Sequence, residues 1–148
     1  MVRCSDMVPY ITKNRELSGT HFAEVAKKAR LLIRSIESRT KRRAYVRSHY
    51  FKKEKIFLEY FWPHLNQKPE RERLNRLKYL HCGIELIENT AQKPTSKINP
   101  NSRDEILHRF IGITNGGVVF CVQIKQNTKK NQKFLMSIFP TKQKIPRK

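Results

Sequence analysis

The chain has 148 residues, with 32 Lys and Arg against 12 Asp and Glu, giving a formal net charge of +20 at pH 7. That length allows one compact domain with its own hydrophobic core. The charge creates a positive field that polyanions relieve, and nucleic acid is the commonest such partner. The alternatives are a basic surface that serves only solubility and an anionic membrane surface. No stretch is apolar for long enough to cross a bilayer, and we expect no membrane partner.

Three helices are predicted in the first part of the chain. An N-terminal segment over residues 1–19 has no clear periodicity. Apolar residues spaced by three and four then predict a helix over about 20–38. A second helix is predicted over 41–62, and Pro63 should end or kink it because proline lacks a backbone donor. A third helix is predicted over 69–89.

The pattern then changes to short apolar runs. Residues 90–104 are polar and contain two prolines, which predicts a loop. Three strands are predicted over 106–113, 118–125 and 134–139. The sequence Asn-Gly-Gly over 115–117 is typical of a tight turn between two of them.

The predicted fold class is α+β, with N-terminal helices followed by a small antiparallel β-meander. The chain divides into four parts: a loose N-terminal segment (1–19), a basic helical extension (20–66), a core of one helix and the sheet (67–140), and a basic tail (141–148).

The cysteines indicate a reducing compartment. Cys4, Cys82 and Cys121 are odd in number and widely spaced, which predicts neither a disulfide framework nor a zinc ribbon. The first twenty residues contain charges and lack the apolar segment of a secretory signal. We therefore expect a cytoplasmic protein with no metal and no other cofactor.

Motifs of several common enzyme classes are missing from the sequence. It contains no P-loop, no dinucleotide-binding glycine fingerprint, no HExxH and no serine-elbow motif. Its acidic residues are too scattered for a two-metal nuclease centre. This argues against magnesium-dependent phosphoryl transfer.

Basic residues are concentrated between residues 39 and 55, where Glu54 is the lone acid. Arg39, Arg43 and Arg47 recur every four residues and are predicted to line one helical face, from which guanidinium groups can follow phosphates. Interleaved aromatic residues could stack on bases. The alternative is a solvated helix face with its aromatic residues in the core. The predicted nucleic-acid contacts are Arg39, Arg42, Arg43, Arg47, Lys52 and Lys53.

A second group of polar residues lies in the predicted strands. His108 and Arg109 are adjacent in the first strand, and Lys125, Lys133 and Ser137 lie on neighbouring segments. A sheet face with His, Lys and Ser could bind a scissile phosphate, since His moves a proton near neutral pH and a cation stabilises the oxyanion. RNA supplies its own nucleophile, the 2′-hydroxyl, so no metal is needed. On strict alternation, however, His108 and Arg109 point to opposite faces.

The order of a helical lead, EILHRFIGI, GGVVFCVQIK and KFLMSIFP resembles that of the barnase–EndoU–colicin–RelE-like nucleases over about residues 70–140. The resemblance implies a helix followed by a small antiparallel sheet that cleaves RNA without metal. The catalytic residues that it implies are His108 as acid or base, Arg109 as phosphate ligand, Ser137 as an orienting hydroxyl, and Lys125 or Lys133 at the oxyanion.

Two functions from different classes follow. One is a toxin-like, metal-independent ribonuclease that cleaves by attack of the 2′-hydroxyl. The other is a non-catalytic protein that binds RNA or the ribosome with the same basic surface. The charge supports both equally, and RNA is the favoured partner. An acidic inhibitor protein is a further candidate partner.

Overall fold

Residues 9–141 are described by the structure, a computed structural model, and they form four helices and seven strands. The helices are α1 (Phe22–Thr40), α2 (Phe61–Asn66), α3 (Glu70–Leu77) and α4 (Leu80–Asn89). The strands are β1 (Tyr10–Ile11), β2 (Tyr45–Ser48), β3 (Glu54–Phe57), β4 (Thr95–Ile98), β5 (Glu105–Ile113), β6 (Val119–Asn127) and β7 (Gln132–Pro140). Cys4 and the predicted basic tail beyond residue 141 lie outside the described residues.

The strands join one mixed sheet in the order β1-β5-β6-β7-β3-β2, and β4 pairs with β5 as well. Strands β5, β6 and β7 form an antiparallel meander. In contrast, β1 runs parallel to β5 and β3 runs parallel to β7. The α+β class is therefore confirmed. The simple meander after N-terminal helices is wrong, because strands also lie before and between the helices.

The first predicted helix is confirmed as α1. Val25, Ala29 and Ile36 are buried, and Phe22 and Leu32 pack against the core. The spacing of three and four residues thus marks the helix face that turns toward the rest of the protein.

The helix predicted over 41–62 is wrong, because these residues form the β2–β3 hairpin and the start of α2. Val46 and Ile56 face each other across the hairpin and are both buried. Their neighbours along each strand point outward, so the period is two residues, as in a half-buried strand. Pro63 does not end a helix. It lies in the first turn of α2, where backbone donors have no partner within the helix.

The helix predicted over 69–89 is divided at Lys78 and Tyr79 into α3 and α4. Helix α4 is buried along most of its length and packs against the sheet. A Cβ atom on Gly83 would come within 2.3 Å of the Ile138 Cδ1 atom in β7. Glycine is therefore required for this close approach of helix and sheet.

The three predicted strands are confirmed as β5, β6 and β7. The predicted loop over 90–104 also contains β4, and the N-terminal segment contains β1. Both strands are short, and every residue of β4 is exposed. No alternation of apolar and polar residues marks such strands in the sequence.

A buried carboxylate in α4 holds the N-terminal segment. Glu85 accepts hydrogen bonds from the Tyr10 hydroxyl (2.7 Å) and from the backbone N–H groups of Lys13 (2.7 Å) and Asn14 (2.9 Å). The Asn14 side-chain amide donates a further bond at 2.6 Å. Glu85 is 7% exposed, so these bonds replace the water that the carboxylate loses on folding.

Candidate nucleic-acid interface

The sheet has an inner face, which packs against α4, and an outer face. Along β5, His108 and Phe110 are buried on the inner face, whereas Arg109 between them is exposed on the outer face. A Cβ atom on Gly112 would contact Leu86 of α4, which places that residue on the inner face too. The alternation predicted for His108 and Arg109 is confirmed.

His108 is held by neutral partners on the inner face. Its Nε2 lies 2.7 Å from Gln126 Oε1, and its Nδ1 lies 2.6 Å from Ser96 Oγ. Because a carboxamide oxygen only accepts, Nε2 donates to Gln126 and Nδ1 accepts from Ser96, as in a neutral imidazole. Burial lowers the pKa of His108 below its usual value, and the nearby ammonium of Lys133 lowers it further, against the hydrogen bond to Gln126.

Lys133 also lies on the inner face and is 4% exposed. Its ammonium forms a salt bridge with Glu54 of β3 and lies 4.7 Å from the centre of the Phe51 ring. The same ring packs edge-on against His108, with the ring centres 5.0 Å apart. This cation is therefore already paired inside the protein.

The other three predicted catalytic residues lie on the outer face, where Arg109 is exposed but Ser137 is buried, at 6% exposed. Arg109 is opposite Gln123, and Gln123 is opposite Ser137. Lys125 is two residues from Gln123 on the same strand and forms a salt bridge of 3.3 Å with Glu105. The sheet thus separates Arg109, Lys125 and Ser137 from His108 and Lys133, and the five residues share no single face.

The three arginines predicted to line one helical face lie in different elements, because the backbone beyond α1 is not helical. Arg39 lies in the last turn of α1, Arg43 in the connection to β2, and Arg47 in β2 itself. Arg39 and Lys53 lie near Glu88 in α4, where partial burial raises the pKa of that carboxyl above its usual value and the two cations only partly offset the rise. The prediction of one helical face for Arg39, Arg43 and Arg47 is wrong.

Aromatic and basic side chains instead gather on the outer face around the β2–β3 hairpin. The Lys55 ammonium lies 4.7 Å and the Arg47 guanidinium 5.3 Å from the centre of the Tyr45 ring. The Arg43 guanidinium lies 3.8 Å from the centre of the Phe57 ring. We call this surface the basic aromatic face, and it consists of Arg43, Tyr45, Arg47, Lys55, Phe57, Tyr60 and Lys125. The ring of Phe134 is buried (5% exposed) and supports the face from within, because it packs against both Phe57 and Tyr60.

The rings of this face form a continuous row across the sheet. The ring centres of Tyr45 and Phe57 are 6.1 Å apart, and those of Phe57 and Phe134 are 5.9 Å apart. Tyr60 lies 4.5 Å from Phe134, and the Lys125 ammonium lies 5.2 Å from the Tyr60 ring. Parallel pairing of β3 with β7 makes this row possible, because it places Phe57 beside Phe134.

The face carries more positive charge than its acids neutralise. Arg43 forms a salt bridge with Glu59. In contrast, neither Arg47 nor Lys55 forms a salt bridge within the described part of the chain. Arg42 lies beside the face, in a shallow depression between the end of α1 and the hairpin. The residues that line this depression are Thr40, Lys41, Arg42, Arg43, Tyr45, Lys55 and Phe57.

Lys52 and Lys53 occupy the turn of the hairpin with left-handed backbone, at φ values of 55° and 69°. Such a conformation disfavours residues that carry a Cβ atom and favours glycine. We expect Lys52→Gly to raise the free energy of unfolding by up to about 1 kcal/mol, measured by urea denaturation. The matched variant Lys52→Gln removes the charge but keeps the Cβ atom, and it should not stabilise the protein. Equal stabilisation by both variants would assign the effect to charge instead of backbone.

Among residues 9–141, no helix is long and apolar enough to cross a membrane, and no cluster of three or more His, Cys, Asp and Glu residues could hold a metal ion. Cys82 and Cys121 are buried free thiols. Comparison with protein-family models, with curated proteins and with solved structures finds no match to this chain.

Proposed function

We propose that this protein binds RNA through the basic aromatic face. The observation that carries the proposal is a row of aromatic rings with cations close to them. Two of these cations, Arg47 and Lys55, form no salt bridge with a carboxylate in residues 9–141. Cations supply affinity for phosphates, because binding releases condensed counterions. Aromatic side chains stack on bases, since every base has a π-face.

A surface that serves only solubility has a different composition. Such surfaces intersperse both signs of charge and need few exposed aromatic side chains. Here Tyr60 is 40% exposed and Tyr45 and Phe57 are partly exposed. The rings therefore favour a ligand with flat apolar groups and negative charge, which a nucleic acid has.

The geometry favours binding over cleavage through His108. A general base must reach the proton that it removes, and His108 is 7% exposed with a partner on each ring nitrogen. Arg109, Lys125 and Ser137 lie on the opposite face of the sheet. The ribonuclease function, the resemblance behind it, the cytoplasmic location and a ribosomal or inhibitor partner stay predictions.

The proposal predicts that the double variant Arg47→Ala, Lys55→Ala binds RNA at least about tenfold more weakly at low salt, because two cations that bind phosphate are removed. The dependence of log Kd on log salt should also flatten, by about 0.7 for each phosphate of a single strand that is no longer neutralised. Fluorescence anisotropy with a labelled, unstructured RNA measures both quantities.

The control removes the same charge elsewhere. Lys27 and Lys93 are exposed residues outside the basic aromatic face, and Lys27→Ala, Lys93→Ala should change the affinity by less than about threefold. Circular dichroism verifies that both double variants are folded. If the control weakens binding as much as the Arg47 and Lys55 variant, the net charge binds RNA and this face does not.

A further inference from the structure

A second aromatic ring with cations lies farther along the outer face. The ring of Phe139 in β7 has the Arg76 guanidinium at 5.1 Å and the Arg109 guanidinium at 5.4 Å from its centre. Arg76 is bound to Glu72 at 2.6 Å. Arg109 is exposed, forms no salt bridge within residues 9–141, and makes a long hydrogen bond of 3.5 Å to Gln123.

This ring continues the basic aromatic face. Lys125, the last cation of that face, lies two residues from Gln123 on β6, and Gln123 is opposite Arg109 on β5. Alternation along β6 places Lys125 and Gln123 on one side of the sheet. Accessible cations and rings are therefore found over β2, β3, β6 and β5 and at Phe139 near the end of β7, across the direction of the strands. Between them, Phe134 and Ser137 of β7 are buried, at 5% and 6% exposed, so a strand would pass over Tyr60 and Lys125 there.

We propose that the nucleic acid bound by this protein is single-stranded and crosses the sheet from Arg47 to Arg109, with bases on Tyr45 and Phe139. This inference rests on the proposed function and assigns its substrate class. It also adds Arg109 and Phe139 to the binding residues.

Two physical reasons favour a single strand. In a duplex, both faces of each internal base are covered by neighbouring bases, so the rings would have nothing to stack on. In an unpaired strand the bases are free to stack on aromatic side chains. In addition, five strands spaced by about 4.8 Å extend over about 19 Å, little more than half of the roughly 34 Å of one duplex turn.

The first test compares an RNA of about ten nucleotides with the same RNA annealed to its complement. We expect the single strand to bind at least about tenfold more tightly at equal salt. The variants Tyr45→Leu and Phe139→Leu keep an apolar side chain but remove the aromatic plane. Each should weaken single-strand binding about fivefold or more and leave duplex binding unchanged.

The second test concerns the far end of the site. Arg109→Ala should weaken binding of the single strand about fivefold or more, whereas Arg103→Ala, at an exposed residue in the loop before β5, should not. Equal affinity for the two RNA forms would overturn the inference, and so would an Arg109→Ala variant that binds like the unaltered protein. In either case, weaker binding by the Arg47 and Lys55 double variant would leave the proposed function standing.

Discussion

Replacing Glu85 with alanine is expected to lower the free energy of unfolding by about 3–5 kcal/mol. The carboxylate is 7% exposed and accepts four hydrogen bonds, from Tyr10, Lys13 and both nitrogens of Asn14. Without it, donors in a partly buried site have no acceptor, and each costs about 1–3 kcal/mol. Urea denaturation measures the change, and hydrogen exchange should show reduced protection at Lys13 and Asn14.

Two further variants identify the cause. Glu88→Ala removes a carboxylate of the same helix whose pKa partial burial raises, so that its charge does not stabilise the folded state, and the change should cost less than about 0.5 kcal/mol. Glu85→Gln keeps the shape but replaces one acceptor oxygen with a donor, so its effect should be smaller than that of Glu85→Ala. If Glu85→Ala lowers the free energy of unfolding no more than Glu88→Ala does, the hydrogen bonds to the N-terminal segment contribute nothing to stability.

The contribution of Glu85 should depend on pH. Burial alone would raise the pKa of this carboxyl, but the hydrogen bonds from Lys13, Asn14 and Tyr10 together lower it. A lowered pKa in the folded state gives stability that is present above the unfolded pKa of about 4.3 and is lost as pH falls through the folded pKa. The difference between wild type and Glu85→Gln should therefore narrow below about pH 4.

The parts of the fold that the sequence predicts correctly are those with long, regular patterns. Helix α1 has an apolar stripe of five residues, and β5–β7 are each nine residues long. The hairpin strands β2 and β3 have only four residues each. Over so short a run, Arg39, Arg43 and Arg47 have the four-residue spacing of a helix face. The pairing of β2 with β3 nevertheless determines the local structure, as strand pairing often does against local preference.

The candidate site was partly predictable. Arg43 and Arg47 do lie on the basic aromatic face, since charge concentrated over a short stretch stays together in most local structures. Lys55, Phe57 and Phe134 were missed. The two-residue period of β3 indicates that Lys55 and Phe57 lie on the same face. Phe134 joins them only through the parallel pairing of β3 with β7, which no local sequence pattern reveals.

The predicted catalytic residues Lys133 and Ser137 lie on opposite faces of the sheet because of an irregularity in β7. Counting alternate residues from Lys133 would place Ser137 on the same face. The pairing with β6 shifts between Gln123 and Ile124, so that Leu135 is opposite Ile124 and Ser137 is opposite Gln123. The extra residue is a β-bulge, which reverses the alternation beyond it. Ser137 therefore lies on the outer face, and Lys133 on the inner one.

Replacing His108 with alanine is expected to lower the free energy of unfolding by about 2–4 kcal/mol and to leave the affinity for RNA unchanged. The imidazole is buried, packs against Phe51 and bonds to Ser96 and Gln126. Its removal leaves a cavity and two polar groups without their partner. Urea denaturation and fluorescence anisotropy on one preparation measure the two quantities.

The stability that His108 contributes should rise with pH. Burial lowers the pKa of His108 in the folded state, and the nearby Lys133 ammonium lowers it further. That ammonium forms a salt bridge with Glu54. The unfolded chain therefore binds the proton more readily, and stability increases as pH rises from the folded pKa to the unfolded value of about 6.5. Above that pH this contribution is constant. The variant His108→Gln, whose amide can bond to Ser96 and Gln126, should lack this pH dependence.

The same variant separates binding from cleavage. Wild type and His108→Gln are incubated with total RNA in EDTA, and 2′,3′-cyclic phosphate ends are counted at several pH values. Because His108 is buried on the face opposite Arg109, Lys125 and Ser137, we expect no ends that depend on it. Cyclic-phosphate ends made by wild type but not by a folded, RNA-binding His108→Gln would contradict this expectation. That result would mean that the inner face opens to RNA, and it would support the ribonuclease that the sequence predicts.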